Sequence, residues 1–196
     1  MARVEFFYDF VSPYSYLAAT QIEALCKRAA AQLAWRPFLL GAVMKATGNS
    51  PPASVAGKAR WILGDLSRWA RSYGVPYAFP ALFPANSLRA LRLAFVADAE
   101  GRIAAYSHAV FRAYWVEGRD IGTDEVLRSV LTEVGLDATQ ALHEIEQPAI
   151  KEALRRSTDE AVLRGAFGAP AIFVGDDLFW GNDRLPFVEA ALCGEK

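Results

Sequence analysis

Val4-Glu5-Phe6-Phe7-Tyr8-Asp9-Phe10 is an aromatic and β-branched run that stops at Ser12-Pro13, and this change confines the start of the chain to strand, turn and helix. Pro13 suits a first helical turn, because the N–H it lacks has no partner there. Leu17, Ile22 and Leu25 give that helix its apolar side through about Ala31. Leu33 to Leu40 then resumes a β-like run, with Leu33, Trp35, Pro37 and Leu39 on one side. The first forty residues therefore predict a β-α-β unit with parallel strands.

Gly48-Asn49-Ser50-Pro51-Pro52 breaks the pattern, and about a hundred residues of helical periodicity follow. Ile62, Leu66, Trp69, Ala70 and Tyr73 recur at helical spacing up to Gly74, a natural C-cap. Pro76, Pro80 and Pro84 forbid regular helix as far as Asn86. Leu88–Ala99, Ile103–Val116 and Thr123–Val134 read as helices closed by Gly101, Gly118 and Gly135; Asp137 with Gln140 resembles a capping box, and Pro148 opens one more helix. At the end, Ala171–Val174 and Leu178–Trp180 flank the turn residues Gly175-Asp176-Asp177 as a β-hairpin, and Leu185–Leu192 is a closing helix. The β-α-β opening and the β-β-α ending are the two halves of a thioredoxin-like sheet. The expected class is α/β, a thioredoxin-like fold with an inserted all-helical subdomain: residues 1–50 and 165–196 as the thioredoxin-like domain, 51–164 as the insertion. An ordinary α/β domain without inherited chemistry has the same periodicity, so the motifs must decide.

Charge narrows the partners. Lys+Arg 21 against Asp+Glu 22 leaves no surplus for a phosphate backbone or an anionic membrane, so neither nucleic acid nor membrane is expected. Arg3 and Glu5 interrupt what would have to be an apolar signal core, and the apolar stretch Phe38–Met44 is far short of a membrane span; a cytoplasmic location is expected. Cys26 and Cys193 are too far apart in sequence to suggest a redox motif and are expected to be buried and inert. His108 and His143 offer no metal-site spacing.

Four places could carry chemistry. Ser12-Pro13-Tyr14-Ser15 occupies the strand-to-helix turn, where unpaired N–H groups and the helix dipole favour an anion. In a thioredoxin-like domain a Cys-x-x-Cys pair normally lies here; both positions hold serine, so this motif cannot exchange disulfides. A serine hydroxyl can still donate to a thiolate brought in by a ligand. Ser12 is equally explained as an N-cap, and local sequence alone favours the cap. Gly168-Ala169-Pro170-Ala171 precedes a strand; a cis proline there would free the Ala169 N–H and C=O to pair with an extended ligand, although proline is common at a strand's first residue. In Trp180-Gly181-Asn182-Asp183, Asn182 or Asp183 would cap the last helix and could hold the charged end of a small ligand. Lys45 and Asn49 fall in the loop joining the sheet half to the helices, within reach of a cleft between them.

Together, Phe7 to Ala18, Met44 to Pro52, Phe167 to Pro170 and Trp180 to Leu185 resemble the 2-hydroxychromene-2-carboxylate isomerases, relatives of the kappa-class glutathione transferases. The resemblance runs from the first strand to the last helix and is weakest over Ala53–Leu163. It implies glutathione as cofactor and a homodimer. By position, Ser12 matches the serine at the glutathione sulfur, which turns the preference for a mere cap around. Ala169 matches the residue before the cis proline that pairs with the cysteinyl backbone; Asn182 and Asp183, with Trp180 and Gly181, match the segment at the γ-glutamyl end; Asn49 matches an asparagine near the tripeptide. The implied reaction converts 2-hydroxychromene-2-carboxylate to trans-o-hydroxybenzylidenepyruvate in bacterial naphthalene-type degradation. Lys45 and Arg89 are the expected cations for the carboxylate of this small aromatic substrate. Tyr14, Trp61 and Phe83 could wall its ring, with packing the favoured role for the last two. A conjugating kappa-type transferase and a non-catalytic peptide-binding module are the alternatives.

Overall fold

In the computed structural model, which describes residues 2–194, the chain opens with strand β1 (Arg3–Tyr8), helix α1 (Pro13–Arg28) and strand β2 (Gln32–Pro37). β1 and β2 are parallel, with Phe6 opposite Trp35 and Tyr8 opposite Pro37. Strand β3 (Ala171–Val174) runs antiparallel to β1, with Phe6 opposite Ile172, and β4 (Asp177–Trp180) completes a four-stranded sheet in the order β2-β1-β3-β4. β1 is central and buried on both faces, which is why it reads as a nearly unbroken apolar run.

The pleat divides β1 between two cores. Val4, Phe6 and Tyr8 join Leu17, Ile22, Trp35 and Ile172 in the larger one; Phe7 points the other way, onto Phe38 and Phe173. The Phe7 face carries the ion pairs of Arg36 and Arg164 with Glu5 and Glu160, and Arg164 lies 4.0 Å from the Phe173 ring centre.

The strand-like reading of Leu33–Leu40 ran too far. Helix α2 (Leu40–Thr47) begins there, so Lys45 stands in the last turn of a helix and not in a loop; Asn49 alone lies in the loop beyond the left-handed Gly48. Leu39 offers no capping side chain, and the start of α2 is held from outside: Leu40 N–H donates to Asp9 Oδ2 at 2.9 Å and Leu39 N–H to Thr158 Oγ1 at 3.0 Å.

The helices that follow are α3 (Ala56–Tyr73), α4 (Leu88–Ala99), α5 (Ile103–Trp115), α6 (Asp124–Glu133), α7 (Ala138–Glu144) and α8 (Pro148–Leu163). Gly74, Gly101, Gly118 and Gly135 take the left-handed backbone that stops a helix without strain, and Asp137 accepts from the Thr139 and Gln140 N–H groups as a capping side chain. One core runs from the sheet through α1 into α4, α5 and α6, and α8 packs on α2 and β2. Helix α9 (Leu185–Leu192) closes the chain. Neither Asn182 nor Asp183 caps it: a 3-10 turn, Asn182–Arg184, leads in, and no side chain caps either segment. Cys26 is buried as expected, and burial, with Glu23 nearby, pushes its thiol up to about 11; Cys193 is exposed, because it follows the last turn of α9 where nothing packs over it.

Candidate functional site

The turn between β1 and α1 is built by Asp9. Its carbonyl accepts the Ser12 N–H at 3.0 Å, and its carboxylate accepts Val11 N–H at 3.2 Å as well as Leu40 N–H. Asp9 is buried, and burial raises its pKa against the opposing pull of these donors and of the Ser87 hydroxyl. Trp115 Nε1 donates to the Phe10 carbonyl at 2.8 Å, and Tyr8 and Ser107 share a 2.6 Å hydroxyl contact beneath the strand. The turn is thus fixed from both sides before Ser12 is reached.

Ser12 is the N-cap of α1, only 4% exposed, and its Oγ accepts the Ser15 N–H at 3.1 Å. The same hydroxyl donates to the Ala169 carbonyl at 3.0 Å, joining parts of the chain 157 residues apart. The capping and the site readings of Ser12 therefore describe one hydroxyl. The Ser15 hydroxyl is buried and has no hydrogen-bond partner among the described residues.

Opposite Ser12, the Ala169–Pro170 peptide is cis. Three carbonyls of this loop are each taken by a different donor: Phe167 O by Asn49 Nδ2 at 2.7 Å, Ala169 O by Ser12, and Pro170 O by Gly181 N–H at 3.2 Å. The expectation of a free Ala169 carbonyl is corrected accordingly, because the Ser12 hydroxyl occupies it; the Ala169 N–H enters no hydrogen bond among the described residues. Trp180 lies over Gly168, where an added Cβ would sit 2.6 Å from Nε1, and packs on Phe167 with ring centres 4.8 Å apart. Gly181 has φ 109° and ψ 156°, a backbone that only glycine adopts readily.

Of the remaining candidates, Tyr14, Asn182 and Arg89 are held by other contacts. Tyr14 OH donates to Asp65 Oδ2 of α3 at 3.0 Å, and burial together with that carboxylate holds its pKa above the usual range. Asn182 is buried and exchanges hydrogen bonds with Tyr73, its Nδ2 donating to the hydroxyl at 3.2 Å and its carbonyl accepting at 3.1 Å; Asp183 is half-buried beside Arg184. Lys45 is exposed and has no ion pair among the described residues. Arg89 is engaged elsewhere, by Asp124 of α6. Trp61 is 60% exposed and Phe83 40% exposed against Phe79 and Trp115, so the expected packing role does not hold for Trp61 and holds for only part of the Phe83 ring. Tyr73, Asp65 and Asp9 were absent from the sequence-based set; Asp9 alone had a signal, as a carboxylate ending a buried strand.

A surface cleft of about 440 Å³ between Glu23, Lys27, Leu33, Trp35 and Ile103 shares no residue with this seam. No metal-binding cluster of His, Cys, Asp or Glu occurs among the described residues.

A model of the DSBA-like thioredoxin domain matches residues 3–193. The chain belongs to that family, alongside the 2-hydroxychromene-2-carboxylate isomerases. It is 36% identical to the 2-hydroxychromene-2-carboxylate isomerase of Sphingobium xenophagum over 96% of this chain and 97% of that one. It is 31% identical to glutathione S-transferase kappa 1 of Rattus norvegicus, covering 98% of this chain and 91% of the relative. A solved structure of a 2-hydroxychromene-2-carboxylate isomerase superposes with a TM-score of 0.90 at 34% identity, covering 98% of this chain and 95% of that one. In this DSBA-like chain neither position of the family's usual dithiol motif is a cysteine, so the thioredoxin-like sheet presents hydroxyls at the helix N-terminus.

Proposed function

We propose that the chain is a glutathione-dependent isomerase that converts 2-hydroxychromene-2-carboxylate to trans-o-hydroxybenzylidenepyruvate in the breakdown of naphthalene-type aromatics. The observation that carries this reading is the Ser12 hydroxyl, buried at the N-terminus of α1 and aimed at the loop that ends in the cis Pro170. The residues present suit a peptide thiol: a main-chain N–H at Ala169 and a buried Ser15 hydroxyl, neither with a partner among the described residues, and the Ser12 hydroxyl between them in reach of the Ala169 carbonyl. When bound, glutathione supplies a thiolate that adds reversibly to the conjugated carbon of the substrate and so lets a double bond rotate.

The chain's own part is electrostatic and positional. Ser12 donates to the sulfur, and the first N–H groups of α1 place partial positive charge beside it, which lowers the cost of ionisation. Ala169 N–H donates to the carbonyl of the cysteinyl unit. Asn49, Trp180, Gly181, Asn182 and Asp183 form the wall toward the γ-glutamyl end, with Asn182 acting through its main-chain N–H because Tyr73 engages both its main-chain carbonyl and its Nδ2. Lys45, exposed and without an ion pair among the described residues, is the cation for the substrate carboxylate; Arg89 would first have to leave Asp124. Tyr14 and the exposed rings of Trp61 and Phe83 are the aromatic surfaces offered to the substrate. A homodimer and a cytoplasmic location belong to the same reading.

The test is conversion of the chromene acid with and without glutathione, with total glutathione followed in parallel. Conversion that requires glutathione and leaves its total unchanged is expected. Consumption of glutathione would instead favour a kappa-type conjugating transferase, the second reading, which the 31% identical relative supports. Binding of peptides with no turnover of either kind would favour a non-catalytic module.

A further inference from the structure

We infer that the Ala169 carbonyl is a positioning group for Ser12: it holds the hydroxyl proton until the amide N–H of a peptide thiol takes its place, and only then does that proton turn to the sulfur. The inference rests on the glutathione reading above.

A serine hydroxyl has one proton to give and two lone pairs. Here one lone pair receives the Ser15 N–H at 3.1 Å and the proton goes to Ala169 O at 3.0 Å. Ser12 is 4% exposed, so water has little access to replace either bond. A thiolate can only accept, and it gains from Ser12 only if that single proton leaves Ala169. If it left with no replacement, the carbonyl would lose its hydrogen-bond partner, a penalty comparable to what the new bond would gain. The carbonyl cannot swing away to find one. The carbonyl two residues before it and the one after it are pinned, Phe167 O by Asn49 and Pro170 O by Gly181, so Ala169 O stays aimed at the seam. An extended ligand that pairs with the residue before Pro170 brings its own N–H to this oxygen and removes the penalty. Thiolate stabilisation then depends on backbone pairing, and a small thiol without a peptide N–H would not receive it.

The test compares glutathione with its depsipeptide analogue, in which an ester oxygen replaces the cysteinyl N–H. The thiol pKa of each, bound to the protein, is read from thiolate absorbance. In the unaltered protein the bound depsipeptide should titrate about one unit or more above bound glutathione, and in Ser12→Ala the two should titrate together. Equal values in the unaltered protein, with glutathione bound, overturn the inference and leave the glutathione reading standing. Failure of glutathione to bind removes that reading and the inference with it. A second measurement uses the ¹³C shift of the Ala169 carbonyl and needs no analogue. Ser12→Ala should move this resonance in the free protein and leave it unmoved with glutathione bound above its thiol pKa. The same displacement in both states would also overturn the inference.

Discussion

On the glutathione reading, replacing Ser12 should separate stability from turnover, because the hydroxyl would then serve each through different bonds. Ser12→Ala removes the N-cap bond to Ser15, which is worth about 1 kcal/mol, and the bond to Ala169, worth about 0.5–1.5 kcal/mol. The expected loss of unfolding free energy is about 1.5–2.5 kcal/mol, small enough for the fold to persist. Ser12→Gly loses the Ala169 bond but forfeits only a few tenths of a kcal/mol as a cap, so it should be about 1 kcal/mol more stable than Ser12→Ala. Turnover does not distinguish the two variants, because both lack the donor to the sulfur. A hydrogen bond to a charged partner is worth about 1.5–3 kcal/mol, which is about tenfold to 150-fold in rate. Urea denaturation gives the first quantity, and kcat at saturating glutathione gives the second. Turnover that tracks stability, with the glycine variant markedly faster than the alanine one, would mean that the hydroxyl acts only as a cap and would refute the reasoning.

Gly168→Ala should cost about 1–3 kcal/mol, because its Cβ would meet Trp180 Nε1 at 2.6 Å; Trp180→Ala in the same chain should recover part of that loss, and thermal melts showing no recovery would rule out this clash. Asp9 has a pKa raised by burial, so the folded protein keeps its proton to higher pH than the unfolded chain does; its contribution to stability is full below the ordinary carboxylate value and is lost as pH rises through the folded value. The stability deficit of Asp9→Asn should accordingly shrink between pH 4 and pH 7, and denaturation curves showing it grow would contradict the direction of the shift. Tyr73→Phe and Asn182→Ala should each cost about 1 kcal/mol and the double variant less than their sum, since both remove the bond from Asn182 Nδ2 to the Tyr73 hydroxyl; full additivity in a double-mutant cycle would deny the coupling.

The helices of the middle segment were legible because glycine and proline punctuate them. Gly74, Gly101, Gly118 and Gly135 all adopt positive φ at the expected ends, and Leu88–Ala99 and Leu185–Leu192 match residue for residue. Helix α2 was not legible, for a physical reason: its N-terminal donors are satisfied by Asp9 and Thr158, which lie 31 and 119 residues away, and no local capping residue marks it. The same distinction separates the parts of the site. Ser12, Asn49 and Ala169 could be picked out by residue type and position, but each one's partner is set by the sheet. The serine that caps its own helix reaches across to a carbonyl 157 residues on, and Asn49 reaches Phe167 118 residues on. Exposure was misjudged for Trp61 and Cys193 because composition says which side chains prefer burial but not which have a neighbour to bury them.

The helical segment therefore has a second role besides covering the sheet. Trp115, from α5, is fully buried and gives its indole N–H to the Phe10 carbonyl, two residues before Ser12, while Ser107 of the same helix meets Tyr8 at the end of β1. Tyr114 ties the neighbouring proline-broken stretch to this helix, accepting the Ala85 N–H at 2.9 Å and donating to the Leu82 carbonyl at 2.9 Å. A turn supported on one side by Asp9 and on the other by α5 has little freedom to follow an approaching ligand. The Ser12 hydroxyl, bonded to Ser15 and Ala169, can redirect its proton by rotation about its own C–O bond. On the inference drawn above, a site organised in this way would answer a ligand by moving a proton between acceptors while its backbone stays in place. The charge on a bound glutathione sulfur would then meet donors already at their final positions, where electrostatic stabilisation needs least reorganisation.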